Sequence, residues 1–219
     1  MKNDKRLLVS LALNIIVFLL VIAGTIVMIT VKSEELATNN ISVFKYFTFQ
    51  SNIFMGCVAI VYAYYQLLII KKKRDKIPHV LTIFHLVATG AVALTFVVVI
   101  AFLGPGYGYD KMYKNANFFF HLVVPVFAIV NFIFFTKSEK YHFIQTLFSI
   151  FPSFLYGIVY FIVVASQNAY GDINIDFYFF GKDGPIVGAF NFLAVMIISY
   201  VIAVLLYFTN RLIFKKSNK

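Results

Sequence analysis

Six apolar runs, approximately Leu7 to Val31, Phe44 to Ile70, Pro78 to Leu103, Ala116 to Thr136, Phe143 to Ser166 and Pro185 to Phe214, take up most of this chain. Each is long enough to cross the hydrocarbon core of a bilayer, which takes about 20 residues of helix. Backbone in lipid has no water to bond to, so such runs must satisfy their own N–H and C=O groups as helices. With 61% hydrophobic and 13% charged residues, the chain also lacks the polar surface that a water-soluble exterior needs. The expectation is one all-α domain over residues 1–219, a six-helix integral membrane bundle. The first run far exceeds the apolar stretch of a signal peptide and reads as a retained helix.

The formal charge of +10 invites a nucleic-acid reading, which the placement of the charges rejects. Lysines and arginines cluster at the ends of apolar runs, and no basic domain stands apart to grip phosphates. One side collects Lys2, Lys5 and Arg6, the 71–76 cluster, Lys137 and Lys140, and the C-terminal Arg211, Lys215, Lys216 and Lys219; the other has Lys32, Lys45, Lys111, Lys114 and Lys182. Fourteen against five puts both termini in the cytoplasm and the loops at 32–43, 104–115 and 167–184 outside. The sequon at Asn40 lies on the first of these loops.

All nine acidic residues lie in loops or tails, which removes the usual relay group of a proton-coupled carrier. The lone cysteine, Cys57, sits within the second run, so no intrachain disulfide forms. His85 and His121 fall in opposite leaflets, and His79 and His85 are six apart, a spacing that does not share a helix face. No metal site and no cofactor is implied, and the sequence sets no oligomeric state.

The second run opens with an unusually polar stretch, "SVFKYFTFQSNIFMG". Thr48, Asn52, Gly56, Ala59 and Ala63 form a small and polar stripe at helical spacing, which in lipid should face other helices. Thr48 is about four residues inside the outer start of its helix and His121 about five inside the outer start of the fourth, so at 1.5 Å per residue the two share a depth of roughly 6–8 Å. Asn117, His121 and Pro125 share a face at i, i+4 and i+8. A hydroxyl needs a neighbouring base to become a nucleophile, and histidine is the commonest such base. The pair therefore suits attack on an acyl ester arriving sideways from the bilayer. Ser51, Asn52, Asn117 and Tyr46 are the candidate substrate-binding or oxyanion groups, side chains being preferred because helix-interior amides are already bonded. Two structural alternatives stand beside this: a threonine bonded back along its own helix, and a histidine that only bridges helices. A non-catalytic lipid-binding or small-molecule carrier protein is the other functional reading.

The phrases "KYFTFQSNIF" and "FFFHLVVPVFAIVNFIFF", at corresponding helix positions of a short apolar chain, resemble the androgen-induced gene / androgen-dependent TFPI-regulating protein family and its bacterial relatives. The resemblance implies an intramembrane threonine hydrolase acting on fatty acid esters of hydroxy fatty acids, with Thr48 as nucleophile and His121 as base. It implies a membrane lipid or acyl ester as partner, and a place in the plasma membrane of a bacterium. The residues "QSN" after Thr48 differ from animal members.

Two further features bear on a pocket. In "DINIDFYFFG", Ile173, Ile175, Phe177 and Phe179 alternate with polar residues, a period of two that suits an extended segment with one face on lipid or on the bundle, either a cap over a pocket or an aromatic anchor at the interface; Asp172 or Asp176 would reach His121 only if this loop folds inward. Pro125 and Pro152 each withdraw a donor from a helix ladder and are expected to open space beside His121 and beside Tyr156.

Overall fold

The computed structural model describes residues 2–31, 42–136, 142–172 and 174–217. Among them there is no strand, and six helices are long and apolar enough to cross a membrane. These are α1 (Lys2–Thr30), α2 (Phe47–Ile70), α3 (His79–Tyr107), α4 (Ala116–Phe135), α5 (Phe143–Ser166) and α6 (Pro185–Ser217), all within a few residues of the apolar runs. This is the architecture of a multi-pass membrane protein. Lys32, Asn40, Lys137, Lys140, Ile173 and Lys219 lie outside the described residues. The Arg6 guanidinium sits 5.0 Å from the centre of the Phe214 ring, so the start of α1 and the end of α6 lie side by side. We call that end of the bundle basal, and the end carrying the loops after α1, α3 and α5 distal.

α3 is the central helix. Every residue from His85 to Thr95 is buried, and six of those eleven are Ala, Gly or Thr, small enough to let neighbours approach on all sides. The stripe on α2 behaves as its composition demands: Asn52, Gly56, Ala59 and Ala63 are all buried, and a side chain at Gly56 would press on Val21 of α1. Val17, Val21, Met55, Val58, Ala88, Val92 and Val124 close the core between α1, α2, α3 and α4. α5 and α6 pack against its other side, Gly157 lying under the Phe192 ring and Ser199 Oγ donating to the Ser149 carbonyl at 2.8 Å.

A closed ring of hydrogen bonds ties the basal half together. Ser10 Oγ donates to Asn131 Oδ1 (2.8 Å), Asn131 Nδ2 to Asn14 Oδ1 (2.9 Å), Asn14 Nδ2 to Gln66 Oε1 (3.0 Å) and Gln66 Nε2 back to Ser10 Oγ (2.8 Å). All four residues are buried. His85 joins from α3: its Nε2 lies 3.3 Å from Asn14 Oδ1, and its ring is stacked between Tyr62 and Phe132. Since that oxygen can only accept, Nε2 carries the proton.

The prolines act where expected, in a form the sequence does not specify. Just before Pro125, Val124 N–H reaches back five residues to the Phe119 carbonyl, giving a π turn over Phe119–Val123. A second π turn, Val99–Leu103, precedes Pro105 in α3, and a 3-10 stretch, Phe143–Ile150, precedes Pro152 in α5. Each accommodates a missing N–H by changing the local pitch.

The loop before α6 departs from its period-two pattern. It is a series of turns gathered around Asp176, whose carboxylate accepts from Tyr160 Oη (2.6 Å), Gly171 N–H (2.9 Å) and Gly181 N–H (2.9 Å). A buried carboxylate collecting three donors outweighs a pattern of alternating side chains. Enclosure among aromatic rings pushes the Tyr178 phenol up to about 12, so it stays protonated at neutral pH; its oxygen accepts the Phe47 N–H at 3.0 Å and pins the loop to the start of α2.

Replacing Asn14 by Leu leaves Asn131 Nδ2, Gln66 Oε1 and His85 Nε2 without their partner. The expected loss is about 1–3 kcal/mol, seen as a lower melting midpoint by circular dichroism in detergent, with exposed Ser166→Ala as an unchanged control. Equal midpoints for both variants would show that the ring is not a principal tie.

Candidate active site at the distal end

Thr48 lies in the first turn of α2, where backbone N–H groups have no intrahelical acceptor. The turn Ser42–Lys45 and the extended residue Tyr46 set the chain into the helix. Phe47 N–H goes to Tyr178, and the Phe49 and Gln50 N–H groups both go to the Tyr46 carbonyl, at 3.1 and 3.2 Å. Among the described residues the Thr48 N–H and the Thr48 hydroxyl have no hydrogen-bond partner, and the side chain is half-buried at the mouth of the buried face of α2. A free amide on the candidate nucleophile itself is a donor that the preference for side-chain groups passed over.

The residues after Thr48 join it to α3 and α4. Asn52 Nδ2 donates to the Thr48 carbonyl (2.8 Å) and to the Phe120 carbonyl (3.2 Å), so one amide joins the turn of Thr48 to the residue before His121. Phe49 and Phe120 pack edge to face at the same level, 5.9 Å between centroids. Ser51 Oγ donates to the Thr48 carbonyl at 3.1 Å and lies 3.3 Å from Thr95 Oγ1 on α3. Asn52 Oδ1 is buried and has no partner among the described residues.

His121 sits in the π turn of α4 and is buried. Its Nδ1 lies 2.7 Å from the Met112 carbonyl, which can only accept; the proton is therefore on Nδ1 and the lone pair on Nε2. The loop that presents Met112 is itself anchored. Tyr109 Oη donates to the Ile100 carbonyl at 2.8 Å, and its ring covers Gly104 so closely that any side chain there would collide with it. Gly108 turns the chain at φ 93°, in the region that favours glycine.

The structure thus brings Thr48, Ser51, Asn52 and the Phe120–His121 turn to one distal cluster and adds Thr95, Met112 and the Thr48 amide. No hydrogen bond joins the Thr48 hydroxyl to the His121 ring. Two of the candidate oxyanion groups are committed elsewhere: both Asn52 amide protons go to carbonyls and the Ser51 proton lies among oxygen acceptors. Tyr46 packs its ring on Phe177 and Tyr178 of the distal loop, at 4.9 and 6.4 Å. Asn117, one turn before His121 and half-buried, has no side-chain hydrogen bond among the described residues and stays available. Asp172 and Asp176 do not turn towards His121; Asp176 holds its own loop, and Asp172 Oδ1 accepts from Asn174 N–H at 2.7 Å. Of the residues that sequence reasoning missed, Thr95 carries a signal as a polar residue in an apolar span. A backbone carbonyl such as that of Met112 carries none.

Set against known proteins, the chain matches no protein-family model, no curated protein and no solved structure.

The ring tautomer is directly measurable. In 15N spectra of histidine-labelled protein at pH 8, assigned with His121→Ala, the His121 signals should be those of a neutral ring protonated on Nδ1. Gly104→Val, by displacing Tyr109 and with it Met112, should convert them to a tautomer mixture. A ring protonated on Nε2 in the unaltered protein would sink the base assignment.

Proposed function

We propose that this chain is an intramembrane lipid-ester hydrolase in which Thr48 attacks the ester carbonyl and His121 accepts its proton. The observation that carries the reading is the Met112 carbonyl on His121 Nδ1 at 2.7 Å, which orients the ring and leaves Nε2 bare, the role a buried carboxylate plays in a serine triad. It answers the lack of an acidic residue in the spans. The half-buried Thr48 hydroxyl, free of the back-bond that the structural alternative requires, supports the same reading.

In the proposed sequence Nε2 takes the Thr48 proton as Oγ1 bonds to the ester carbon. The carbonyl oxygen gains the negative charge, which the Thr48 N–H and the Asn117 amide are the available groups to receive. Collapse breaks the bond to the alcohol oxygen, which takes the proton from the imidazolium and leaves an acyl-threonine. Water, deprotonated by the same nitrogen, then releases the acid and restores the hydroxyl. No cofactor enters the sequence.

The resemblance to the androgen-induced gene / androgen-dependent TFPI-regulating protein family points to fatty acid esters of hydroxy fatty acids as the substrate class and to a bacterial-type relative in a plasma membrane. The charge count, fourteen basic residues against five, supports cytoplasmic termini and an outward-facing distal end.

A fluorophosphonate probe, which reacts with activated hydroxyls, should label the purified protein. Thr48→Ala should remove the label, His121→Ala should slow it by about 10²–10⁴-fold, the range for loss of a general base, and Thr48→Ser should retain it. An unlabelled protein beside a labelled lipid hydrolase in the same detergent would return the cluster to the lipid-binding or carrier reading.

A further inference from the structure

A cavity of about 610 Å³ lies on another face of α2. Its walls are Phe47, Gln50, Ser51 and Phe54 of α2 and Pro152, Leu155, Tyr156, Val159, Tyr160 and Val163 of α5, with Asn174, Ile175 and Phe177 of the distal loop and Lys45 at its head. Thr48 and His121 do not line it. On a helical projection at 100° per residue its α2 walls centre about 110° from Thr48. Leu155, Val159 and Val163 are each largely exposed to the surroundings of the bundle, so the cavity is open sideways to lipid.

The polar atoms at its rim decide what it can hold. Tyr156 Oη donates to the Lys45 carbonyl (2.6 Å), Ser51 Oγ to the Thr48 carbonyl (3.1 Å) and Gln50 Nε2 to the Phe44 carbonyl (2.8 Å). Tyr156 and Ser51 have each given their only side-chain proton, and Gln50 one of its two amide protons. Lys45 gives one proton to the Asn174 carbonyl at 3.2 Å, with its ammonium 4.6 Å from the Phe177 ring centre, and no acidic side chain pairs with it among the described residues. Two ammonium protons and a full positive charge remain at the head of an apolar slot. From Phe47 to Phe54 the α2 wall descends seven residues, about 10 Å at 1.5 Å per residue. Its volume is that of a site for one small molecule rather than a two-chain phospholipid.

We propose that this cavity binds a single-chain anionic amphiphile, a long-chain fatty acid, with its carboxylate on Lys45 and its chain between α2 and α5. Charge complementarity selects the head, since a carboxylate supplies both the counter-charge and the acceptors that Lys45 lacks. The apolar walls and lateral opening select the chain. The site does not depend on Thr48 being a nucleophile.

The test is a titration of the full-length protein, in nanodiscs of phosphatidylcholine, with a fluorescent long-chain fatty acid competed by oleate, oleyl alcohol or methyl oleate. Oleate should compete about tenfold or more better than either neutral analogue, the worth of a hydrogen bond to a charged group. Lys45→Gln should abolish that preference, Lys45→Arg should keep it, and Val159→Trp, which fills the slot, should weaken all three competitors. Equal competition by oleate and oleyl alcohol on the unaltered protein, or binding untouched by Val159→Trp, would overturn the assignment. So would displacement of the probe by nanodiscs containing phosphatidylglycerol as readily as by oleate, which would make the occupant a phospholipid.

Discussion

The rest of this fold hangs on the ring of Ser10, Asn14, Gln66 and Asn131. In an apolar interior, Gln66 loses both its partners if α2 rotates or slides against α1, and Asn131 both of its own if α4 does. The ring therefore fixes α1, α2 and α4 against one another in rotation and in height, and His85 on Asn14 Oδ1 brings in α3. Because helices are stiff along their length, that basal register is transmitted to the distal end, where Thr48 and His121 stand on two of the helices so fixed. Packing among interchangeable Val, Ala and Phe side chains could not set a register so closely.

Transmission along α4 is not rigid, and that bears on the site. Between Asn131 and His121 lies Pro125, whose missing donor produces the π turn that contains His121. A π turn carries an extra residue per turn, so the face containing His121 is offset from the one an unbroken helix would present. The Asn52 amide, bonded to Phe120 just before His121, holds that offset against α2. The Met112 carbonyl then holds the ring from the loop side, so the His121 turn is held by one side-chain amide and the ring by one backbone carbonyl.

What the sequence could reveal follows the same division. Spans were legible because their cause is local and additive: about 20 apolar residues cross a bilayer whatever lies beside them. The polar stripe on α2 was legible because burial of small and polar residues follows helical spacing, and Asn52, Gly56, Ala59 and Ala63 obey it. Roles that depend on where protons go were not. Asn52 in sequence is a group with two donors and an acceptor; only the nearness of two carbonyls turns it into a clamp with a bare oxygen. Likewise the alternating loop 172–181 was misread because Asp176 looked like one polar position among several, when its burial made it the organiser of the turn.

Depth decides what the two faces of α2 can share. Lys45 stands before α2 and Thr48 in its first turn, while the slot between α2 and α5 runs down to the level of Phe54. In the proposed binding mode a carboxylate on Lys45 would place its chain along the α2 face that carries Ser51, about 110° round the helix from Thr48. Ser51 lines the slot, yet its oxygen lies 3.1 Å from the Thr48 carbonyl and 3.3 Å from Thr95, which makes it the partition between the two faces. Taken together, the two proposals would have the slot and Thr48 serve separate molecules, or separate arms of one lipid that carries a carboxylate and an ester. A change at Lys45 is then expected to alter what the slot retains while leaving the Met112 carbonyl on His121 Nδ1 in place.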